Sequence, residues 1–143
     1  RDILGANASF AFQIAQIEKG IIPPVIKVGN LEATRNFTDV RDTVKAYYLA
    51  MEKGVPGELY LIGTQQIHTM EECLKMLIQA SPMRDKITYE VDPERVRPTE
   101  LNTFIGKFDK FEQLTGWKPT IQLDETMKSI LDYWREFLEK GYY

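Results

Sequence analysis

The chain has 143 residues, 43% of them hydrophobic and 27% charged, with a formal charge of −3 at neutral pH. That is one domain's worth of globular polypeptide, able to bury about 68–70% of its unfolded surface. Acids and bases are interspersed, which excludes a clustered basic face for nucleic acid or an anionic membrane, and the single cysteine, Cys73, excludes an internal disulfide.

In chain order, Phe10, Ile14 and Ile17 recur at helical spacing, and Gly20 with Pro23 and Pro24 ends that helix. Val25 to Val28 predicts a short strand and Arg35 to Phe37 a second extended segment. A helix starting at Asp39 carries the apolar stripe Val40, Val44, Tyr47, Tyr48 and Met51 and stops at Gly54. Pro56-Gly57 is a turn, and Glu58 to Ile62 (ELYLI) predicts a buried strand. Thr69 and Glu72 have the spacing of a capping box, in which each side chain satisfies the other's free backbone N–H, ahead of a helix carrying Cys73, Leu74, Leu77 and Ile78.

Ile87 to Val91 is a third strand, followed by the charged, proline-flanked stretch Asp92 to Glu100. Phe108 to Leu114 is a short helix closed by Gly116. Asp124 to Glu139 is an amphipathic helix with Met127, Ile130, Leu131, Trp134 and Leu138 inward. Helices alternating with isolated strands predict an α/β or α+β class.

Familiar catalytic patterns are missing from the sequence. It contains no G-x-G-x-x-G or Walker loop to cradle a pyrophosphate, and no tyrosine has a lysine four residues later. His68, the sole histidine, reads as a solvated loop residue beside a helix cap, and Cys73 as core packing. With one histidine and one cysteine, no metal cluster of the usual spacings exists. No apolar run nears the ~20 residues of a membrane span, and no signal-peptide pattern opens the chain, so a cytoplasmic location is expected. The chain opens at Arg1, consistent with a piece of a longer protein.

What remains is anion chemistry. Arg35 precedes an aromatic and a helix start, and Arg97 precedes Pro98 in a segment that cannot be a regular helix. A guanidinium is always charged, and its planar fork of donors matches phosphate oxygens. A loop whose direction is already fixed loses less entropy on gripping a ligand. Glu100 could accept from sugar hydroxyls. Spacing alone does not separate these roles from solvated arginines in weak surface ion pairs.

The ordered segments FAFQIAQIEKG, VGNLEATRNFTDVRDTVKAYYLAME, GVPGELYLIG, DPERVRPTE and LTGWKPTIQLDETMKSILDYWRE resemble the C-terminal half of the extended short-chain dehydrogenases/reductases that act on nucleotide sugars. The run from Gly29 to Asp42 is most similar to GDP-4-keto-6-deoxy-mannose reductases and GDP-mannose 4,6-dehydratases. Dehydratases typically carry an aromatic-Gly-His run where this chain has Phe37-Thr38-Asp39, a departure toward the reductases.

The resemblance implies an α/β fold, the C-terminal part of a Rossmann-type enzyme with its small substrate domain, over residues 1–143. Residues 38–63 would belong to the parent sheet. It implies that Arg35 lies near the ribose or diphosphate, Arg97 on the diphosphate and Glu100 on ribose hydroxyls. The strand ending at Val28 would line the base, Asn30 would shape that pocket, and Ser9 and Gln13 would face the ligand from the first helix.

NAD(P) would be bound by an N-terminal portion, with its Tyr-x-x-x-Lys pair, lying before Arg1, and not by this chain. The chain alone is then expected to transfer no hydride, and to self-associate or pair with that portion through the exposed faces of the Asp39 helix and the 58–62 strand. Open alternatives are a UDP- or dTDP-sugar epimerase or dehydratase of the same superfamily, and a stand-alone ligand-binding module.

Overall fold

The computed structural model describes residues 5–96 and 106–141. Helix α1 (Ala6–Glu18) leads through Gly20, at φ 71°, to strand β1 (Val25–Val28). Strand β2 (Thr34–Arg35), helix α2 (Val40–Lys53), strand β3 (His68–Thr69), helix α3 (Met70–Gln79) and strand β4 (Thr88–Val91) follow. A single 3-10 turn (Pro93–Arg95), helix α4 (Asp109–Thr115) and helix α5 (Leu123–Glu139) complete the described elements. No described helix is long and apolar enough to cross a membrane.

Two small sheets organise the chain. β1 and β4 pair in parallel, with Val25 opposite Thr88 and Val28 opposite Val91, the intervening chain crossing over through α3. β2 and β3 pair antiparallel, with Thr34 opposite Thr69 and Arg35 opposite His68. The principal core lies between α1, α3, α5 and β1. There Ile14, Ile26, Val28, Leu74, Leu77 and Leu131 are fully buried.

A charged clasp closes one end of this core. Arg135 donates from Nε and Nη2 to both Glu18 oxygens at 2.7 Å, and Ser81 Oγ donates to the same carboxylate at 2.6 Å. Burial pushes the Glu18 carboxyl up, but the Arg135 and Ser81 bonds outweigh it and leave its pKa below the usual value.

Local signals are realised closely. Thr69 and Glu72 make both bonds of the capping box, and Gly116 ends α4 in the left-handed region at φ 73°. Cys73 is fully buried, and loss of solvent pushes its thiol up to about 11, so it packs rather than reacts.

Three expectations change. The second extended segment is Thr34–Arg35 rather than Arg35 to Phe37, because its ladder to β3 ends at the Arg35–His68 pair. His68 is not a solvated loop residue, since that ladder half-buries its ring. Residues 58–62 form no strand, because no described strand lies beside them to complete a ladder.

The 58–62 segment nonetheless alternates like a strand. Tyr60 and Ile62 turn inward onto a second small core of Ala46, Phe111 and Trp117, while Leu59 and Leu61 face outward. The predicted apolar stripe of α2 is exposed along its length, reaching 88% at Met51.

Candidate functional site

The predicted site residues that the structure describes fall into two groups, joined by residues 29–33. The first gathers where α1 crosses β1. Gln13 accepts from the Lys27 N–H through Oε1 at 2.8 Å and donates from Nε2 to the Lys27 carbonyl at 3.1 Å. Ser9, one helical turn earlier and buried, accepts at Oγ from Arg95 Nη1 at 3.1 Å and from Gln13 Nε2 at 3.4 Å. The Val28 side chain is fully buried in the principal core, and its carbonyl accepts from Asp92 N at 2.8 Å.

Asn30 shapes the connection. Its Oδ1 accepts from Glu32 N at 2.9 Å, a turn-forming bond typical of asparagine. The next carbonyls, of Leu31 and Ala33, take the N–H groups of Glu71 and Met70 at 3.1 and 3.0 Å, so the loop seats on the start of α3.

Arg35 then stands in the second group, on β2 opposite His68, with Nη1 donating to the Thr34 carbonyl at 2.7 Å. Asn36 Nδ2 reaches the Thr64 and Gln66 carbonyls at 2.8 and 3.2 Å, tying β2 to the chain before β3. His68 Nδ1 lies 3.4 Å from Glu72 Oε2, an ion pair only when the ring is protonated. Arg97 and Glu100 lie outside the described residues.

Two hollows adjoin these groups. One, of about 40 Å³, is lined by Phe37, His68, Pro119 and Gln122 among others, room for a few waters and not for a sugar. The other, of about 380 Å³, lies beside Gln13, Ile22, Val25, Lys27 and Glu90, within the size range of small-ligand sites.

Sequence reading missed Arg95, which stands two places before the arginine it selected and reaches α1 across 86 positions. Asp39 caps α2 as expected, accepting from Arg41 N at 2.9 Å, but the further bonds of the D-V-R-D run were missed. Asp39 accepts from Arg41 and from the Thr126 hydroxyl, and the Arg41 bonds hold its carboxyl far below the usual range.

Asp42, 1% exposed, accepts from Thr120 N and Ile121 N at 2.8 Å, from the Thr120 hydroxyl at 3.1 Å and from Lys45 at 3.2 Å. Burial raises its carboxyl, but these donors prevail and its pKa is lowered. Trp117 Nε1 donates to the Asp42 carbonyl at 3.2 Å, so the G-W-x-P run and the D-V-R-D run are partners in space. Their individual motifs were readable, but their mutual bonding had no local signal.

Among the described residues, no group of histidine, cysteine and acids could hold a metal ion. Gly20, Gly57, Gly116 and Gly141, the glycines at positive φ, follow helices or turn a loop, and none opens a helix toward a pyrophosphate.

A family model described as GDP-mannose 4,6 dehydratase matches residues 7–130. The chain is 30% identical over 127 residues to GDP-6-deoxy-D-mannose reductase of Pseudomonas aeruginosa, covering 89% of this chain and 41% of that enzyme. It is 34% identical over 110 residues to dTDP-D-glucose 4,6-dehydratase of Homo sapiens, covering 72% and 30%.

Among solved structures, RMD from Pseudomonas aeruginosa complexed with NADPH aligns at a TM-score of 0.83 and 26% identity, over 92% of this chain and 43% of that one. UDP-glucose 4-epimerase of Thermotoga maritima with UDP-glucose aligns at 0.75 and 28% identity, over 96% and 41%. The chain thus spans less than half the length of these relatives. Its alternating helices and paired short strands are part of the extended short-chain dehydrogenase/reductase architecture, and the chain belongs to the GDP-mannose 4,6 dehydratase family.

Proposed function

We propose that this chain is the nucleotide-sugar-binding part of a longer NAD(P)-dependent enzyme acting on a GDP-sugar, of the reductase or 4,6-dehydratase type. The observation that carries this reading is the similarity to a GDP-6-deoxy-D-mannose reductase over 89% of the chain, joined to a coverage of only 41% of that enzyme. Arg35 and Arg97 hold the diphosphate and ribose, and Glu100 takes ribose hydroxyls. The turn at Asn30 and the end of β1 at Val28 shape the base pocket, with Ser9 and Gln13 behind it on α1. Fixing the diphosphate fixes the hexose relative to the reacting centre, which is a positioning contribution to catalysis.

NAD(P) supplies or accepts the hydride from a part of the protein outside this chain. Residues 38–63 belong to that part's sheet. The exposed stripe of α2 and the strand-like alternation of residues 58–62 support this assignment, since both are built to be covered. The chain by itself transfers no hydride, and it associates through that face with a second copy or with the cofactor-binding portion in the cytoplasm.

A second reading, a UDP- or dTDP-sugar enzyme, is favoured by the 34% identity to a dTDP-D-glucose 4,6-dehydratase. Feeding the longer protein GDP-, UDP- and dTDP-hexoses and identifying products by mass spectrometry separates the two. In the same protein, Arg97→Ala weakens GDP-sugar binding by roughly tenfold or more, since a charged hydrogen bond to phosphate contributes ~1.5–3 kcal/mol. An unchanged dissociation constant in titration calorimetry removes Arg97 from the site.

A further inference from the structure

We infer that the smaller hollow is a binding site for ordered water, held by two buried acceptors, His68 Nε2 and Asn36 Oδ1. The hollow, of about 40 Å³, lies where residues 64–66 and β3 meet the turn that enters α5, with Thr64, Gln66, His68 and Gln122 among its walls. Ladder pairing with Arg35 fixes the backbone of His68 there, and its ring is half-buried. Nδ1 faces Glu72 Oε2 at 3.4 Å, the oxygen that also takes the Thr69 N–H. A carboxylate beside Nδ1 keeps the proton of the neutral ring on that atom and leaves the lone pair on Nε2. Nε2 is fully buried, and no described residue donates to it.

Asn36 stands against the same walls. Its Nδ2 donates to the Thr64 and Gln66 carbonyls at 2.8 and 3.2 Å, and those two acceptors fix which end of the carboxamide is nitrogen. Oδ1 is thereby turned the other way, where it too is buried with no donor among the described residues. Both orphaned atoms are acceptors, so the occupant must be a donor. An anion has no hydrogen to offer, and a sugar exceeds the volume. Water brings two O–H donors, and a polar hollow of this size admits it. A buried acceptor otherwise forfeits the hydrogen bond it makes in the unfolded chain, so the bound water steadies the fold around the β2–β3 pair. The site does not depend on the ligand role proposed for Arg35.

The test uses the full-length protein that contains this chain. Its crystal structure, at a resolution where waters are seen, is expected to show water density at about 2.7–3.2 Å from His68 Nε2. In the His68→Phe protein that density should disappear while ordered waters elsewhere stay. With the histidine rings labelled with ¹⁵N, nuclear magnetic resonance should find His68 protonated at Nδ1, with Nε2 as the accepting nitrogen. Its ring protons should also show cross-peaks to water of the sign that a long-lived bound molecule gives.

A hollow without density would overturn the inference, as would a side chain from elsewhere in the longer protein seated in it and donating to Nε2. So would a ring protonated at Nε2, or water that exchanges at His68 as fast as it does at the surface. Water that keeps its place in the His68→Phe protein would show that Nε2 does not hold it, with the same result. If His68→Phe fails to fold, the density of the parent protein and its spectrum, assigned with His68→Gln, decide the question.

Discussion

One side of the molecule, built from α1, α3, α5 and β1, covers most of its own apolar residues. The other, built on α2 and residues 58–62, has a small core of its own but leaves its outward apolar residues in water. Leu131 is fully buried, whereas Met51 is 88% and Leu59 77% exposed. Both regions carry apolar residues at regular spacing, so the pattern alone does not distinguish them. The difference is whether a second layer among the described residues receives the face. The self-covered side holds Ser9, Gln13, Val28 and the Arg95 turn, and the uncovered side is the one assigned here to the cofactor-binding part.

Mutations should divide along the same line. The largest loss is expected in the self-covered core, where Leu131→Ala should cost about 3 kcal/mol or more by urea unfolding, transfer and cavity effects combined. Asp42→Ala should cost roughly 2–3 kcal/mol, because it strands the Thr120 and Ile121 N–H groups it now accepts from. Removing the capping hydroxyl with Thr69→Ala should cost about 1 kcal/mol. Met51→Lys with Leu59→Lys should change stability by no more than about 0.5 kcal/mol. That pair should instead abolish concentration-dependent association in sedimentation velocity. A large loss of stability from it would mean that the outward face is already covered within the chain.

Acid should act on both regions through two carboxylates. Glu18 on the covered side and Asp42 at the junction both have folded pKa values lowered from the ordinary carboxylate range. Their stabilisation is complete above the unfolded values, about pH 4, and is lost as pH falls through the lowered folded values. Asp42→Asn should therefore flatten the acid limb of a stability-against-pH curve, read by circular dichroism.

Legibility in the sequence followed the range of the interactions. The Thr69–Glu72 cap, the Gly116 stop, strand Val25–Val28 and the inward face of α5 were readable because each is decided within a few residues. Residues 58–62 carried a true strand pattern, but a ladder needs a neighbour that pattern cannot supply. The Asp42–Thr120 and Ser9–Arg95 bonds span 78 and 86 positions and leave no periodic trace. Arg35 was picked out by residue chemistry and Asn30 by family resemblance, whereas Arg95 was passed over because nothing near it in the chain distinguishes it from a surface charge.

The carboxamide of Gln13 has a consequence for how copies of this protein can meet. An amide on a short stalk, it imitates a peptide unit and answers both the N–H and the carbonyl of Lys27 on the side of β1 away from β4. A foreign strand trying to extend this sheet finds its middle rung already taken, a form of protection against fibrous stacking.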